Sequence, residues 1–210
     1  MARYGIRGSN MLGGTSVPKL REMGRRLRPD HDLAECLWRS GIHEARMLAA
    51  FVDDPGRVTP EQMERWAADF DSWEIVDQTV GNLFDRTPFA WDKAVEWADR
   101  EEEFVKRAGF AMMATLAVHD KSAPDARFGA LLPLIEREAS DPRHYVRKGV
   151  NWALRQIGKR DVVLHAEATA AANRIVSDGP RRARWVGSDA LRELRADYTL
   201  SRLGLTEPPG

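Results

Sequence analysis

Apolar residues recur along nearly the whole chain at spacings of three and four, and no stretch sustains an alternation of period two. This predicts helices throughout and no sheet. Leu33, Leu37 and Trp38 form one stripe, closed by Ser40-Gly41, and Ala45, Leu48, Ala49 and Val52 form the next, closed by Asp53-Asp54-Pro55-Gly56. Two short helices with a tight join follow from that spacing. Thr59-Pro60-Glu61-Gln62 combines an N-cap hydroxyl, a proline at the first helical position and a glutamine able to reach back, and opens a helix through about Phe70. The same grammar recurs at Ser72 ahead of Trp73 to Phe84 and at Thr87-Pro88 ahead of Phe89 to Ala98. Glu101-Glu102-Glu103 precedes Phe104 to Val118, its acidic side chains complementing the helix dipole. Beyond Ser122-Ala123-Pro124 a helix is expected over Phe128 to Glu138, and Ser140-Asp141-Pro142 opens one over Arg143 to Gly158.

The second helices of successive pairs carry related strings: Ile42-His43-Glu44-Ala45-Arg46, Val105-Lys106-Arg107-Ala108-Gly109 and Val146-Arg147-Lys148-Gly149-Val150. The first two are offset by 63 residues, about two repeats, the last two by 41, and the Ser72 helix falls midway through the first gap. Antiparallel helix pairs at this period predict an all-α, HEAT-like helical-repeat solenoid, with a compact helical bundle as the alternative. The expected organisation is an irregular glycine-rich segment over residues 1–15, a single solenoid domain over 16–203 and a loose tail over 204–210.

The 210-residue chain is long enough to bury a core unaided. Its single cysteine, Cys36, cannot form an internal disulfide, and no run has the apolar length of a signal peptide or membrane span. A soluble, cytoplasmic monomer is expected. The 32 basic and 32 acidic residues cancel, which alone would argue against a nucleic-acid partner. Their distribution changes the picture: residues 1–50 carry 9 basic and 5 acidic side chains, residues 51–104 carry 5 and 15, and residues 105–210 carry 18 and 12. An acidic middle masks two basic flanks, which allows a basic face without a basic average.

Several enzyme signatures are missing. Gly13-Gly14 has no preceding strand and no following Gly-Lys-Ser/Thr, His43-Glu44-Ala45-Arg46-Met47 lacks the second histidine of a zinc helix, and His31 with Cys36 is at best half a metal site. No metal and no cofactor are assigned, and no serine lies in a Gly-x-Ser-x-Gly elbow. The informative segment is Asp69-Phe70-Asp71-Ser72-Trp73-Glu74-Ile75-Val76-Asp77-Gln78. A helix places Trp73 and Asp77, at i and i+4, on one face. Such a pair reads either as a core tryptophan beside a carboxylate paired with an arginine, or as an apolar plate beside a working carboxylate.

Together with Gly41-Ile42-His43-Glu44-Ala45-Arg46, Val105-Lys106-Arg107-Ala108 and Val146-Arg147-Lys148-Gly149-Val150-Asn151-Trp152-Ala153-Leu154-Arg155, this segment resembles the AlkD-type DNA alkylation repair family of HEAT-like DNA glycosylases. The resemblance runs from Ser16-Val17-Pro18-Lys19-Leu20-Arg21 to about Lys159. It implies a curved solenoid with a concave DNA-binding face, and hydrolysis of the N-glycosidic bond of cationic alkylpurines such as 7-methylguanine and 3-methyladenine in double-stranded DNA. By the same resemblance the sugar-facing tryptophan falls on Trp73, the catalytic aspartate on Asp77, the phosphate-side arginine on Arg107 and the second aromatic on Trp152.

The chemistry of the residues agrees with those implied roles. An alkylated, cationic purine leaves with the glycosidic electrons, so positive charge develops on the deoxyribose and the base needs no proton. A carboxylate about 4 Å from that charge, at an effective dielectric of about 20, attracts it by at most about 4 kcal/mol. Indole faces suit a sugar cation through their quadrupole. A carboxylate beside DNA also repels phosphate, so cations must hold the backbone nearby. Lys148, Arg155, Lys159 and Arg160, in the basic third block, are candidates beside Arg107, and the alternative for each is a solvated helix surface. Two other functions stay open: a non-catalytic repeat protein that binds branched or damaged DNA, and a protein-interaction scaffold.

Overall fold

A computed structural model describes residues 12–13 and 15–205. Most of the 1–15 segment and residues 206–210 of the tail therefore lie outside the described residues. Among the described residues every regular element is helical and there is no strand. They fall into two compact units divided between Ala108 and Gly109.

In the first unit the helices are α1 (Val17–Leu27), α2 (His31–Arg39), α3 (His43–Val52), α4 (Pro60–Ala68), α5 (Trp73–Asn82), a single 3-10 turn at Phe84–Arg86, α6 (Ala90–Ala98) and the start of α7 (Glu103–His119). The caps follow the local sequence. Thr59 Oγ1 accepts from Gln62 N at 3.2 Å and Ser72 Oγ from Ile75 N at 3.4 Å, each satisfying one of the orphan donors of a helix start. Gly41, at φ +68°, makes the left-handed turn between α2 and α3 that a residue with Cβ would resist. At Thr87-Pro88 the expectation is corrected: Thr87 Oγ1 donates to Phe84 O at 2.8 Å and closes the 3-10 turn, so α6 begins at Ala90. The second helices of successive pairs pack on each other, α3 on α5, with α1 lying against α3.

The core of this unit is aromatic. Trp66, Trp97 and Phe84 are fully buried. Trp38 and Trp66 stack with centroids 4.0 Å apart. Trp38 Nε1 donates to Asp69 and Trp97 Nε1 to Glu64, whereas the buried Trp66 Nε1 has no acceptor among the described residues, a cost that the stacking and burial of its ring offset.

The second unit holds the rest of α7, then α8 (Asp125–Gly129), α9 (Leu132–Glu138), α10 (His144–Ile157), α11 (Val162–Ser177), α12 (Arg184–Leu194) and α13 (Asp197–Arg202). The single helix expected over Phe128 to Glu138 is two, because the chain turns at Ala130-Leu131 and restarts with Pro133 in its first turn. α11 packs on α12, α8, α9 and α10, and α10 packs on α12. The pairing of second helix on second helix thus recurs within each unit, which is how a HEAT-like repeat buries faces that one pair cannot bury alone. All the residues singled out from the sequence lie on such second helices except Lys159 and Arg160, just beyond the end of α10.

Candidate functional site

α5 buries Ile75, Val76, Thr79 and Val80. That choice of buried face leaves Trp73, Glu74, Asp77 and Gln78 partly open on the other. Trp73 is therefore not a core tryptophan, unlike Trp38, Trp66 and Trp97. The carboxylate one turn along is not loose either. Arg107, on α7, donates to it through both arms of its guanidinium, Nε to Oδ1 at 3.1 Å and Nη2 to Oδ2 at 2.7 Å. The arginine side chain is 6% exposed and the aspartate side chain 17%.

This fork-to-fork pair is the strong form of a charge-assisted hydrogen bond and locks the carboxylate in one plane. The resemblance implies a phosphate contact at Arg107, and in the structure its Nε and Nη2 donate to Asp77. Burial pushes the Asp77 carboxyl above the usual carboxylate range and the nearby charge of Glu74 adds to this, while Arg107 opposes both. Glu74 in turn meets the buried His43 of α3, Oε2 to Nε2 at 3.1 Å. The next residue, Glu44, holds the backbone N–H groups of Leu12 and Gly13 at 3.1 and 2.9 Å. His43, Glu44 and Glu74 were not among the residues chosen from the sequence. The only sequence signal for them was their place in the Ile42 and Ser72 strings.

In the second unit α10 presents a stripe at i, i+4 and i+7, Lys148, Trp152 and Arg155, and Lys159 follows just beyond the helix end. Lys148 is exposed and Trp152 is half-buried. With its amide turned to satisfy both neighbours, Gln156 accepts from Trp152 Nε1 at 3.2 Å and from Lys159 Nζ at 3.3 Å. Arg155 and Lys159 both pair with Glu193 of α12, the lysine at 2.5 Å. Those two cations, together with their hydrogen bonds, hold the Glu193 carboxyl below its usual range against the opposing effect of burial. The stripe is real, but part of its charge is already neutralised inside the protein.

Arg160 stands apart. Its guanidinium donates to the backbone carbonyls of Ala117, Asp120 and Ala123 at 2.8–3.2 Å and to Asp125, and lies 4.3 Å from the centroid of the Phe128 ring. With its side chain 7% exposed, it ties the end of α7 to the loop before α8, and the phosphate role expected from sequence has no free donor face to rest on. Among the described residues no three His, Cys, Asp or Glu side chains are grouped as metal ligands, and no helix is long and apolar enough to cross a membrane.

The family described as DNA alkylation repair enzyme matches residues 1–201. An uncharacterized protein of Listeria innocua serovar 6a is 25% identical over 175 residues, covering 82% of this chain and 76% of its own. A solved structure from a family related to the HEAT-like repeat DNA glycosylases, with affinity for branched DNA structures, superposes with a TM-score of 0.74. It is 17% identical and covers 97% of this chain and 91% of its own. The fold is that of HEAT-like repeat proteins.

Proposed function

The chain belongs to the DNA alkylation repair enzyme family, and we propose that it is a monofunctional glycosylase releasing cationic N7- or N3-alkylated purines from duplex DNA. The observation that carries this reading is the open Trp73–Asp77 face of α5 with its carboxylate held in place by Arg107. An aromatic plate and an oriented anion on one helix face are what a deoxyribose cation needs.

In the reaction the bond from C1′ to the purine nitrogen breaks and both electrons leave with the base, which departs neutral because the alkyl group had made it cationic. Water adds to C1′, and its proton passes to Asp77 or to solvent. Asp77 acts on the sugar charge and on the water, and Arg107 acts through Asp77 as a positioning residue. Its guanidinium also weakens the field. At an effective dielectric of about 20, a carboxylate about 4 Å from the sugar offers about 4 kcal/mol and a guanidinium about 8 Å away subtracts about 2, leaving about 2. The remaining rate must come from the charge of the leaving base and from alignment. In the second unit Trp152 is assigned as the second aromatic and Lys148, Arg155 and Lys159 to phosphate.

A second reading is binding of branched DNA without cleavage. It is favoured by the affinity for branched DNA of the structurally similar family and by the closed Asp77–Arg107 pair. A single-turnover assay on duplexes that each carry one lesion separates the two. Release of 7-methylguanine with uracil left in place is the expected result. Release of uracil without 7-methylguanine refutes the proposed chemistry, and no release together with tight binding of a four-way junction establishes the second reading.

A further inference from the structure

Arg21 and Arg25 lie at i and i+4 and so share one face of α1, and Arg28 caps the end of that helix. The adjoining face buries Leu20 and Gly24. A Cβ built at Gly24 would sit 2.5 Å from Cβ of Phe51, the last turn but one residue of α3, so the glycine lets α1 lie directly on that helix. This close approach brings the arginine face over Phe51 and toward the end of α5. There the three arginines, Phe51, Asn82 and Arg86 line a cavity of about 160 Å³.

The cavity's charge is one-sided. No carboxylate lines it. Arg86 Nε lies 4.0 Å from Oδ1 of the buried Asp85. Arg21 donates to the neutral Gln78 at 3.0 Å and rests 5.7 Å from the Phe51 ring centroid. Arg25 and Arg28 are exposed and have no acidic partner among the described residues. Four guanidinium groups around one small space repel one another, and an anion entering it relieves that repulsion. Guanidinium forks with an amide and an aromatic floor suit the planar edge of a phosphodiester joined to a sugar.

The cavity is built onto the helix that carries Trp73 and Asp77. Asn82, on its rim, donates to Gln78 O at 2.7 Å and lies five residues beyond Asp77, about 7.5 Å further along the helix axis. A DNA strand rises about 3.4 Å per phosphate, so that offset corresponds to about two nucleotides.

We propose that the cavity formed by Arg21, Arg25, Arg28, Phe51, Asn82 and Arg86 binds a backbone phosphodiester of the DNA strand, about two nucleotides from the sugar that faces Asp77. The cavity's affinity for phosphate rests on its own residues, and the register of two nucleotides rests on the functional reading above. It places one anchor of the strand beside the acidic α5 face, where the protein most needs to offset the repulsion between Asp77 and phosphate.

The test uses the full chain and a duplex carrying one stable abasic-site analogue, with R25Q/R28Q as the variant and R25K/R28K as the charge-retaining control. Both arginines are exposed, so an unchanged melting temperature confirms that the fold is intact. The expected result is a log–log salt slope of DNA binding shallower by about 1–2 units in R25Q/R28Q and close to the parental value in R25K/R28K. In a scan of single neutral methylphosphonates, the parental protein loses affinity at the position about two nucleotides from the abasic site and R25Q/R28Q loses nothing further there. An unchanged slope overturns the proposal, as does stabilisation by inorganic phosphate with DNA binding unaffected by the substitutions, which would mark a site for free anions. A shallower slope in a protein that excises no base keeps the cavity as a phosphodiester site and refutes only the glycosylase reading. A scan minimum far from the abasic site overturns the register.

Discussion

Replacing Arg107 by methionine isolates what the ion pair does, because the aliphatic stem is retained and only the guanidinium is lost. Asp77 would then keep a carboxylate whose side chain is 17% exposed, stripped of donors at 3.1 and 2.7 Å and still facing the charge of Glu74. Removing one partner of a buried pair costs about 3–5 kcal/mol, and the residual exposure of Asp77 places the expected loss near the lower end, about 3 kcal/mol at pH 7. The companion D77N strands the arginine instead, and R107M/D77N removes both charges, so the double variant should recover at least about 2 kcal/mol relative to the sum of the single losses. The sign of the pH dependence follows from the raised carboxyl of Asp77. In R107M its folded-state pKa rises further above the unfolded value of about 3.9, so the folded state holds a proton that the unfolded chain has released. The deficit is therefore full above the folded pKa and shrinks as pH falls through it toward the unfolded value. Urea denaturation of the four proteins between pH 4 and pH 8 measures this. A loss below about 0.5 kcal/mol in R107M, or a deficit that is flat with pH, refutes the coupling.

Three further outcomes follow from the same geometry. D77N should abolish excision of 7-methylguanine while leaving DNA affinity equal or higher, and the acid limb of the parental rate profile should lie above the usual carboxylate value because Asp77 must be ionised to act. Parental excision rates in D77N would exclude the carboxylate from the chemistry. E193Q, which removes the charge that Arg155 and Lys159 share, should tighten DNA binding several-fold and steepen its salt slope by about 1–2 units, as read by fluorescence anisotropy; an unchanged slope would mean that neither cation reaches phosphate. R160A should cost about 1–3 kcal/mol, since three part-buried carbonyls lose their donor. It should not change the salt slope, and a shallower slope would restore Arg160 to the DNA face.

Local sequence determined the helices and several of their starts, because a cap or an apolar stripe is satisfied within one or two turns. Thr59 and Ser72 cap the helices they precede, and the i, i+4 relation of Trp73 and Asp77 put both on the open face of α5 as soon as that helix formed. The stripe of Lys148, Trp152 and Arg155 on α10 was legible for the same reason. What each charged group faces was decided only by packing. Arg107 lies 30 residues from Asp77, Arg155 and Lys159 lie 38 and 34 from Glu193, and Arg160 reaches carbonyls 37 to 43 residues away. The α1 arginines needed the close approach at Gly24 and the 3-10 turn that brings Arg86 to them. A helix face specifies where its side chains point, but an arginine at the end of a long stem takes the acid, carbonyl or open cavity that the neighbouring helices present. That choice exists only once the repeats have stacked.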